Sequence, residues 1–343
     1  MAIPLELTID QGDITQFPAD LIGLKYAQAF YGADKAVAAI LAKRGIEDAR
    51  LRPADGDCRV IETAGAVVAP RAIFVGIRPL HELGYRDLRV LAVKTIQLVG
   101  REAPDTRHLA LTLHGPGFGL DEAESALAQL GGILEVVEED QVPSALEHVS
   151  LVEIRPDRVK RVQAAFKRTL AKMDTAKPAP DGQGFRLGTV SGAGPTRSAR
   201  RSIELDSAGT ASAAKASVFV AMPFAQSMDD VFYYGIQQPA HATGYLCERV
   251  DQEAFTGDIL ARVKERIDCA AVVIAELSGA NPNVYLEVGY AWGKNRPTIL
   301  VAKSDQELKF DVRGQRCLIY QRIRDLEEAL SKELAALKGK GRV

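Results

Sequence analysis

One acidic residue stands out for its surroundings: Glu287, in the segment NPNVYLEVGYA of residues 281 to 291. Its neighbours are apolar or small, so the pattern predicts a largely buried stretch in which an isolated ionised carboxylate is costly. A carboxylate beneath the anomeric carbon of a sugar can stabilise the charge that develops when an N-glycosidic bond breaks, or can attack that carbon. We therefore take Glu287 as the candidate catalytic residue, against the alternative of an ordinary Glu near a helix amino end.

Further candidate residues follow the predicted strands that precede or flank this segment. In open parallel sheets, ligands bind beyond the carboxyl ends of the strands. Helical spacing also places the amide four residues before Glu287 on the same helix face, and an aromatic ring at this edge can stack on a base. The candidate substrate-binding residues on these grounds are Met222, Phe224, Asp251, Glu276 and Asn283.

The elements that must position these residues form a regular βαβ succession from residue 215 onward. Runs such as VFVA and AVVIA lack polar alternation, which favours a parallel sheet covered by helices on both faces. Pro282 suits the first turn of the helix that carries Glu287, with either Asn281 or Ser278 as its cap. The closing segment RDLEEALSKELAAL has leucines at helical spacing and is expected to pack on the sheet. The sequence thus predicts a flavodoxin-like domain over residues 215–343.

The order FVAMPF, RVD, AVVIAELSG and NPNVYLEVGYAWGKNRPTILV resembles the nucleoside 2-deoxyribosyltransferase-like superfamily and its relatives, the bacterial Toll/interleukin receptor (TIR)-like domains. This resemblance implies that Glu287 acts in glycosidic cleavage and that Asp251 and Glu276 contact sugar hydroxyls. Nicotinamide leaves NAD as a neutral base and needs little acid assistance, whereas purines and pyrimidines generally need protonation. No histidine or second acid is evident near the motif, which favours NAD over ordinary nucleosides.

Residues 1–172 alternate strand-like runs with helical stretches, which predicts another α/β layer domain. The segments GDITQFPADLIGLKY and LALTLHGPGFGLDEAESALAQL resemble a macro domain of the leucine aminopeptidase amino-terminal type. That resemblance implies a ligand of the ADP-ribose kind, held by Asp20 and by a loop of Gly115, Gly117 and Gly119. A structural, assembly or ligand-sensing role is the favoured interpretation of this domain.

Composition and charge bear on the domain boundary, the partners and the location of the protein. Residues 173–214 are rich in Gly, Ala, Ser, Thr and Pro without an apolar period, which predicts a linker. The chain of 343 residues has 47% hydrophobic and 26% charged residues and a formal net charge of -2, which gives no electrostatic argument for a nucleic-acid or membrane partner. The start lacks an export signal and no apolar run is long enough to span a bilayer, so a cytoplasmic location is expected.

Cysteine and histidine spacing gives no sign of a metal site. The cysteines lie far apart and show no CxxC or Cys/His ligand spacing, so buried free thiols are expected rather than disulfides or zinc. His108 and His114 lack acidic neighbours at ligand spacing and are expected to be structural. No cofactor is predicted, with NAD entering only as a substrate. The four cysteines are Cys58, Cys247, Cys269 and Cys317.

The leading hypothesis is an N-glycosidase that cleaves the nicotinamide–ribose bond of NAD or a related nucleotide, with Glu287 as nucleophile or cation stabiliser. By resemblance, it is a bacterial antiphage effector that works as a homo-oligomer, whose macro-like domain controls activity or assembly in response to a nucleotide or protein partner. One alternative is a nucleoside or nucleotide 2-deoxyribosyltransferase or hydrolase. The other is a non-catalytic nucleotide-sensing module.

Overall fold

The computed structural model describes residues 5–188 and 215–339, apart from 117–118, 172, 174, 181, 183, 224, 251–258, 304–307, 310–311 and 313. The chain divides into two compact units, Met1–Pro116 with Glu122–Ala213, and Gly117–Asp121 with Ala214–Val343. Each unit is an α/β structure with its own sheet, which confirms the predicted fold class. In the described parts of both units, no helix is long and apolar enough to cross a bilayer.

The first unit is built on an eight-stranded mixed sheet. Its strands are β1 (Leu5–Gln11), β2 (Leu21–Tyr26), β3 (Cys58–Glu62), β4 (Arg71–Gly76), β5 (His108–Thr112), β6 (His148–Glu153), β7 (Ala176–Pro178) and β8 (Gly184–Leu187). Its helices are α1 (Gly32–Lys43), α2 (Tyr85–Glu102), α3 (Glu122–Glu138) and α4 (Pro156–Leu170). The strand order is β3-β4-β2-β5-β6-β1-β8-β7, in which the pairs β3–β4, β1–β8 and β7–β8 are antiparallel and the rest parallel.

The predicted linker begins too early. Within it, β7 (Ala176–Pro178) and β8 (Gly184–Leu187) pair as a hairpin, β8 also pairs with β1, and Leu187 is fully buried. Gly182 provides the left-handed turn of this hairpin, at φ 73°. The short strands lie within a stretch rich in Gly and Pro, so their apolar alternation is too brief to separate them from a loop.

The second unit is built on a five-stranded parallel sheet. Its strands are β9 (Ser217–Ala221), β10 (Leu246–Glu248), β11 (Val272–Glu276), β12 (Thr298–Lys303) and β13 (Cys317–Tyr320). A π-helix (Val231–Gln237) leads into α5 (Gln238–Ala242), followed by α6 (Ile259–Cys269), α7 (Pro282–Gly293) and α8 (Ile323–Gly339). The order β10-β9-β11-β12-β13 is the flavodoxin-like order that the sequence predicts.

Both faces of the parallel sheet are buried, which explains why its strands lack polar alternation. On one face, Val220 and Ile274 pack in a cluster with the leucines of α8, as predicted for the closing helix. On the other face, Val273 and Ala275 pack with residues of α6 and α7. Polar side chains on these strands are therefore confined to the strand ends. The buried α8 leucines are Leu326, Leu330 and Leu334.

The four cysteines are free thiols, but they are not all buried as the sequence predicts. Cys58 and Cys247 are buried and Cys317 is half-buried, whereas Cys269 is exposed. Cys269 is the last residue of α6, where a side chain can face water. The spacing argument excludes disulfides but does not predict exposure.

The contact between α2 and α3 depends on Gly132. A Cβ added at Gly132 would lie 2.4 Å from the backbone carbonyl oxygen of Arg89. We predict that Gly132→Ala lowers the free energy of unfolding of the first unit by about 1–3 kcal/mol. The reason is that the backbone of Arg89 cannot move away from the added Cβ as the end of a flexible side chain could. Urea denaturation checks this, with Gly84→Ala as control, since a Cβ there meets only Asp87 Oδ2 at 3.8 Å. Equal midpoints for the two variants would contradict the prediction.

Candidate functional site

The helix that carries Glu287 starts where a tight turn leaves the central strand of the parallel sheet. After β11 the chain passes through a 3-10 turn at Ser278–Ala280, in which Gly279 has φ 75°. The side chain of Asn281 then accepts a hydrogen bond from the backbone N–H of Asn283 at 2.9 Å, and Pro282 is the first helical residue. Asn281 is therefore the cap, and Ser278 is not. This arrangement places the amino end of α7 at the carboxyl edge of the sheet.

Glu287 lies about one and a half turns into α7 and is half-buried. Val284, Val288 and Ala291 form the buried side of the helix, while Leu286 is 56% exposed. Burial raises the pKa of the Glu287 carboxyl to about 7. Among the residues that the structure describes, none donates a hydrogen bond to this carboxyl or forms an ion pair with it. Glu287 is thus an acid whose charge the described surroundings leave uncompensated, and a cation bound beside it would favour its ionised form.

Glu276 is buried at the carboxyl end of β11 with a different set of contacts. Its Oε1 accepts hydrogen bonds from the Tyr320 hydroxyl at 3.0 Å and from the Ser278 hydroxyl. The Ser278 hydroxyl in turn accepts from the backbone N–H of Lys303 at 3.0 Å. Its Oε2 is buried and has no partner among the described residues. One oxygen of this carboxylate is therefore tied to the sheet, and the other is left for a donor that the described residues do not supply.

The two carboxylates belong to different faces of the sheet. Side chains alternate along a strand, so Glu276 shares the face of Val272 and Ile274, where Tyr320 also packs. Helix α7 covers the opposite face, through Val284 and Val288. Glu276 and Glu287 consequently lie on opposite faces of the sheet, near its carboxyl edge. The sequence places both at this edge but does not separate their faces, because the strand end at Glu276 cannot be fixed to one residue from the pattern alone.

Of the other predicted substrate-binding residues, the structure describes Met222 and Asn283 but not Phe224 and Asp251. Met222 is buried beyond the end of β9, and Arg249 Nη1 lies 3.8 Å from its Sδ. Asn283 is exposed on α7, where its backbone N–H is used by the cap. Phe224 and Asp251 lie outside the described residues, so their roles stay predictions.

In the first unit, the structure does not bring Asp20 to the glycine loop. Asp20 Oδ2 accepts hydrogen bonds from the backbone N–H groups of Arg107 and His108, at 3.0 and 2.9 Å. It therefore joins the amino ends of the parallel strands β2 and β5, whereas Gly115 follows the carboxyl end of β5. The sequence motif does not show that Asp20 precedes β2 while Gly115 follows the neighbouring strand β5.

The glycine loop itself is only partly described. Gly115 has φ 114°, and a Cβ there would lie 2.3 Å from Ser125 Oγ, so only glycine fits. Gly119 has φ 96° and belongs to the segment that groups with the second unit. Gly117 lies outside the described residues. Helix α3 begins at Glu122, and the predicted binding of a ligand by this loop stays a prediction.

A buried ion pair in the first unit escapes sequence reasoning. The Lys25 ammonium pairs with the Asp34 carboxylate, which also accepts from the Lys25 backbone N–H at 3.1 Å. Both side chains are buried, and the charge of Lys25 adds to burial, the larger cause, in lowering the pKa of His114. The available signal is a lysine in LIGLKY, a strand whose six residues are all buried. Such a charge needs a partner, and Asp34 follows nine residues later.

Two histidines of the first unit, His108 and His148, pack against each other at the start of β5 and β6. His108 stacks on His148 with ring centroids 4.4 Å apart, and its Nε2 lies 2.9 Å from the Ser150 hydroxyl. Burial, followed by His148, lowers the pKa of His108. Where side chains are described, no group of three or more His, Cys, Asp or Glu residues is placed to share a metal ion.

Comparison with known proteins gives no matching family model and no matching curated protein. Similar solved structures include a macrodomain of Trypanosoma brucei in complex with ADP, at 17% identity and TM-score 0.39, over 46% of this chain and 68% of the other. A mutant macrodomain of Oceanobacillus iheyensis has 16% identity and TM-score 0.40, over 50% of this chain and 97% of the other. The Clostridium botulinum CMP N-glycosidase BcmB has 17% identity and TM-score 0.29, over 34% of this chain and 98% of the other. Similarities of this size do not assign a family, and the TIR-like resemblance of the second domain stays a prediction.

The Tyr320 hydroxyl donates a hydrogen bond to the buried carboxyl group of Glu276. We predict that Tyr320→Phe lowers the free energy of unfolding of the second unit by about 1–3 kcal/mol, because a buried acceptor loses a donor. Tyr234→Phe removes the same hydroxyl from a side chain that is 54% exposed and serves as the control. In a Glu276→Gln background the cost of Tyr320→Phe should shrink, since the acceptor is then neutral. An undiminished cost in that background would show that the hydroxyl does not act through the carboxylate.

The raised pKa of Glu287 predicts a pH-dependent stability. The folded protein retains this proton up to about pH 7, whereas the unfolded chain releases it near its ordinary value of about 4.3. The wild-type free energy of unfolding should therefore fall between these two pH values, and Glu287→Gln should lack this part of the fall. Urea denaturation from pH 4 to 8 should show the variant gaining roughly 1–3 kcal/mol on the wild type, with no difference below pH 4. A constant offset at every pH would contradict the shift.

Proposed function

We propose that this protein is an N-glycosidase that cleaves the bond between nicotinamide and ribose in NAD or a related nucleotide. The observation that supports this most directly is the half-buried Glu287 carboxyl, with a pKa raised to about 7 by burial and no neutralising group among the described residues. Its location on the helix after the central strand β11 puts it near the carboxyl edge, where open parallel sheets bind ligands. Such a carboxylate is complementary to a cation.

The proposed reaction uses that complementarity in two ways. The nicotinamide ring of NAD carries a positive charge, so its binding beside Glu287 lowers the pKa of the carboxyl and ionises it. As the bond from C1′ to the ring nitrogen breaks, the bonding pair leaves with nicotinamide, and the charge moves to the ribose. The Glu287 carboxylate stabilises this cation or bonds to C1′. Water then adds at C1′, and nicotinamide, the ribosyl product and one proton are released.

A second candidate function rests on the same pKa. A carboxyl with a pKa of about 7 is partly protonated at neutral pH, and a protonated acid can assist the departure of a purine or pyrimidine. That chemistry suits a nucleoside or nucleotide 2-deoxyribosyltransferase or hydrolase. The two reactions need opposite protonation states of Glu287 in the free enzyme, so they differ in their pH dependence.

The resemblance to TIR-like domains supports a wider role for the proposed activity. In this proposal the protein is an antiphage effector that depletes NAD, assembles as a homo-oligomer, and is controlled through its first domain by a nucleotide or a protein partner. An effector of this kind is inactive until assembled. Activity is therefore to be measured across a range of protein concentrations.

The test is product analysis with the full chain. NAD, nicotinamide mononucleotide, deoxynucleosides and CMP are incubated separately with the protein, and products are resolved by liquid chromatography and mass spectrometry. CMP is included because one matched structure is named a CMP N-glycosidase. We expect nicotinamide release that Glu287→Gln lowers by about 10²–10³-fold or more, the scale of losing one electrostatic contact to the transition state. Glu328→Gln removes an exposed acid of α8 and is the control.

The pH profile separates the two reactions. For NAD cleavage, kcat/KM should rise with pH through about 7 and then level, because the ionised carboxyl is the active form. For a reaction that needs the protonated acid, kcat/KM should fall above about pH 7. Binding of a nucleotide without any product, at every protein concentration, would contradict both enzymes and favour a non-catalytic sensor.

A further inference from the structure

A groove in the first unit lies between helix α4 and the hairpin of β7 and β8, and we call it the α4 groove. Its volume is about 860 Å³, within the range of about 300–1,000 Å³ that is usual for small-molecule sites. Ile9 of β1 contributes to its lining, together with Leu170 of α4 and Phe185 of β8. The fold thus leaves a concave space of ligand size beside the last strands of the mixed sheet.

Most of the described lining of the α4 groove is apolar or has no side chain. Ile9 and Leu170 are buried and Phe185 is half-buried. The Gln163 side-chain amide nitrogen already donates to the Ile9 carbonyl oxygen at 2.9 Å. Such a lining suits an alkyl chain better than a nucleobase, which needs several hydrogen-bonding partners. Small residues keep the space open, namely Ala164, Ala171, Ala176, Gly182 and Gly184.

Two lysines of α4, Lys160 and Lys167, line the same groove. Both are exposed, and among the described residues none forms a hydrogen bond or an ion pair with either ammonium group. On the same helix, by contrast, Arg158 and Arg161 both pair with Glu122. A solvated lysine is ordinary on a protein surface. Two of them beside an apolar, ligand-sized groove favour a ligand that combines an anionic group with an apolar body.

The spacing of the two lysines allows them to share one anion. Helical geometry places Lys160, Ala164 and Lys167 on one face of α4. The lysines are seven residues apart, which is about 10.5 Å along the helix axis. Ala164 lies near the midpoint and is exposed, so only a methyl group occupies the wall there. Because the four-carbon stem of lysine is flexible, both ammonium groups can approach an anion above Ala164.

We propose that the α4 groove binds a long-chain carboxylate. The carboxylate lies above Ala164, between the ammonium groups of Lys160 and Lys167, and the alkyl chain lies along the apolar lining. Charge complementarity holds the head group, and removal of the chain from water supplies the remaining affinity. The inference concerns the first unit alone and does not depend on the proposed N-glycosidase activity of the second.

The experiment compares three probes that separate the chain from the charge. Decanoate, decyltrimethylammonium and acetate are titrated by calorimetry into the full-length protein. Decyltrimethylammonium has the same chain with a cationic head group, and acetate has the carboxylate without the chain. We expect decanoate to bind at one site and about tenfold or more tightly than either of the other probes. Rising salt should weaken this binding, because the two lysines are exposed.

Matched variants locate the bound carboxylate. Lys160→Gln combined with Lys167→Gln should lower the affinity for decanoate by about 3–30-fold, the range for losing two exposed ion pairs. Ala164→Leu should lower it by about fivefold or more, because the larger side chain fills the position of the carboxylate. Two controls should leave the affinity unchanged: Arg168→Gln removes an exposed charge of α4 outside the groove lining, and Ala39→Leu enlarges an exposed alanine of α1.

Several outcomes would overturn this inference. Decanoate binding that neither the lysine pair nor Ala164→Leu weakens would place the ligand elsewhere on the protein. Equal affinities for decanoate and decyltrimethylammonium would show that the lysines do not select the head group, and equal affinities for decanoate and acetate would show that the groove does not hold the chain. Absence of decanoate binding would also overturn it. All substituted positions are exposed, so unchanged unfolding midpoints should accompany any loss of binding.

Discussion

The free-energy cost of removing a carboxylate from water limits where acidic residues can lie in the second unit. Its parallel sheet is covered on both faces, so acids can be placed only where strands end or helices begin. Glu276 and Glu287 meet this cost differently. Glu276 is given two hydroxyl donors on one oxygen, whereas Glu287 has no described donor and its pKa rises instead. Hydrogen bonds therefore offset part of the cost of burying Glu276, whereas the charge of Glu287 depends on what binds beside it.

The first unit meets the same cost by pairing charges internally. Lys25 and Asp34 neutralise each other while both are buried, and Asp20 uses one oxygen to accept from two backbone N–H groups. These acids hold elements together. Glu287 differs from these acids, because it is half-buried, has no hydrogen-bond donor or ion-pair partner among the described residues, and has a pKa raised by burial. This contrast is why we assign the chemistry to the second unit.

The sequence predicts helices and strands better than it predicts which face or edge of a sheet a residue occupies. Apolar runs such as VFVA and AVVIA predict the parallel sheet of the second unit, because strands that are buried on both faces lack polar alternation. The hairpin of β7 and β8 is missed because three or four residues cannot display a period. The sheet face of Glu276 is missed because it changes with a shift of one residue in the strand register. The sheet edge of Asp20 is missed because it depends on the order of the strands in space. Glu287 is identifiable because a single acid interrupts an apolar run, but the prediction that this stretch is largely buried is wrong, since only Val284, Val288 and Ala291 of α7 are buried and Leu286 is 56% exposed. The Tyr320 hydroxyl is missed because Tyr320 and Glu276 lie on different strands and meet only in the folded sheet.

The proposed substrate places a cation beside a carboxyl group that has no hydrogen-bond donor among the described residues of the second unit. The nicotinamide ring of NAD is positively charged, whereas the base of an ordinary nucleoside is neutral. A neutral base would leave the cost of ionising Glu287 in place, so the carboxyl would keep its proton up to about pH 7. A cationic ring offsets that cost on binding and favours the ionised carboxylate that the proposed reaction needs. This is the physical reason for placing nicotinamide nucleotides first among the candidate substrates.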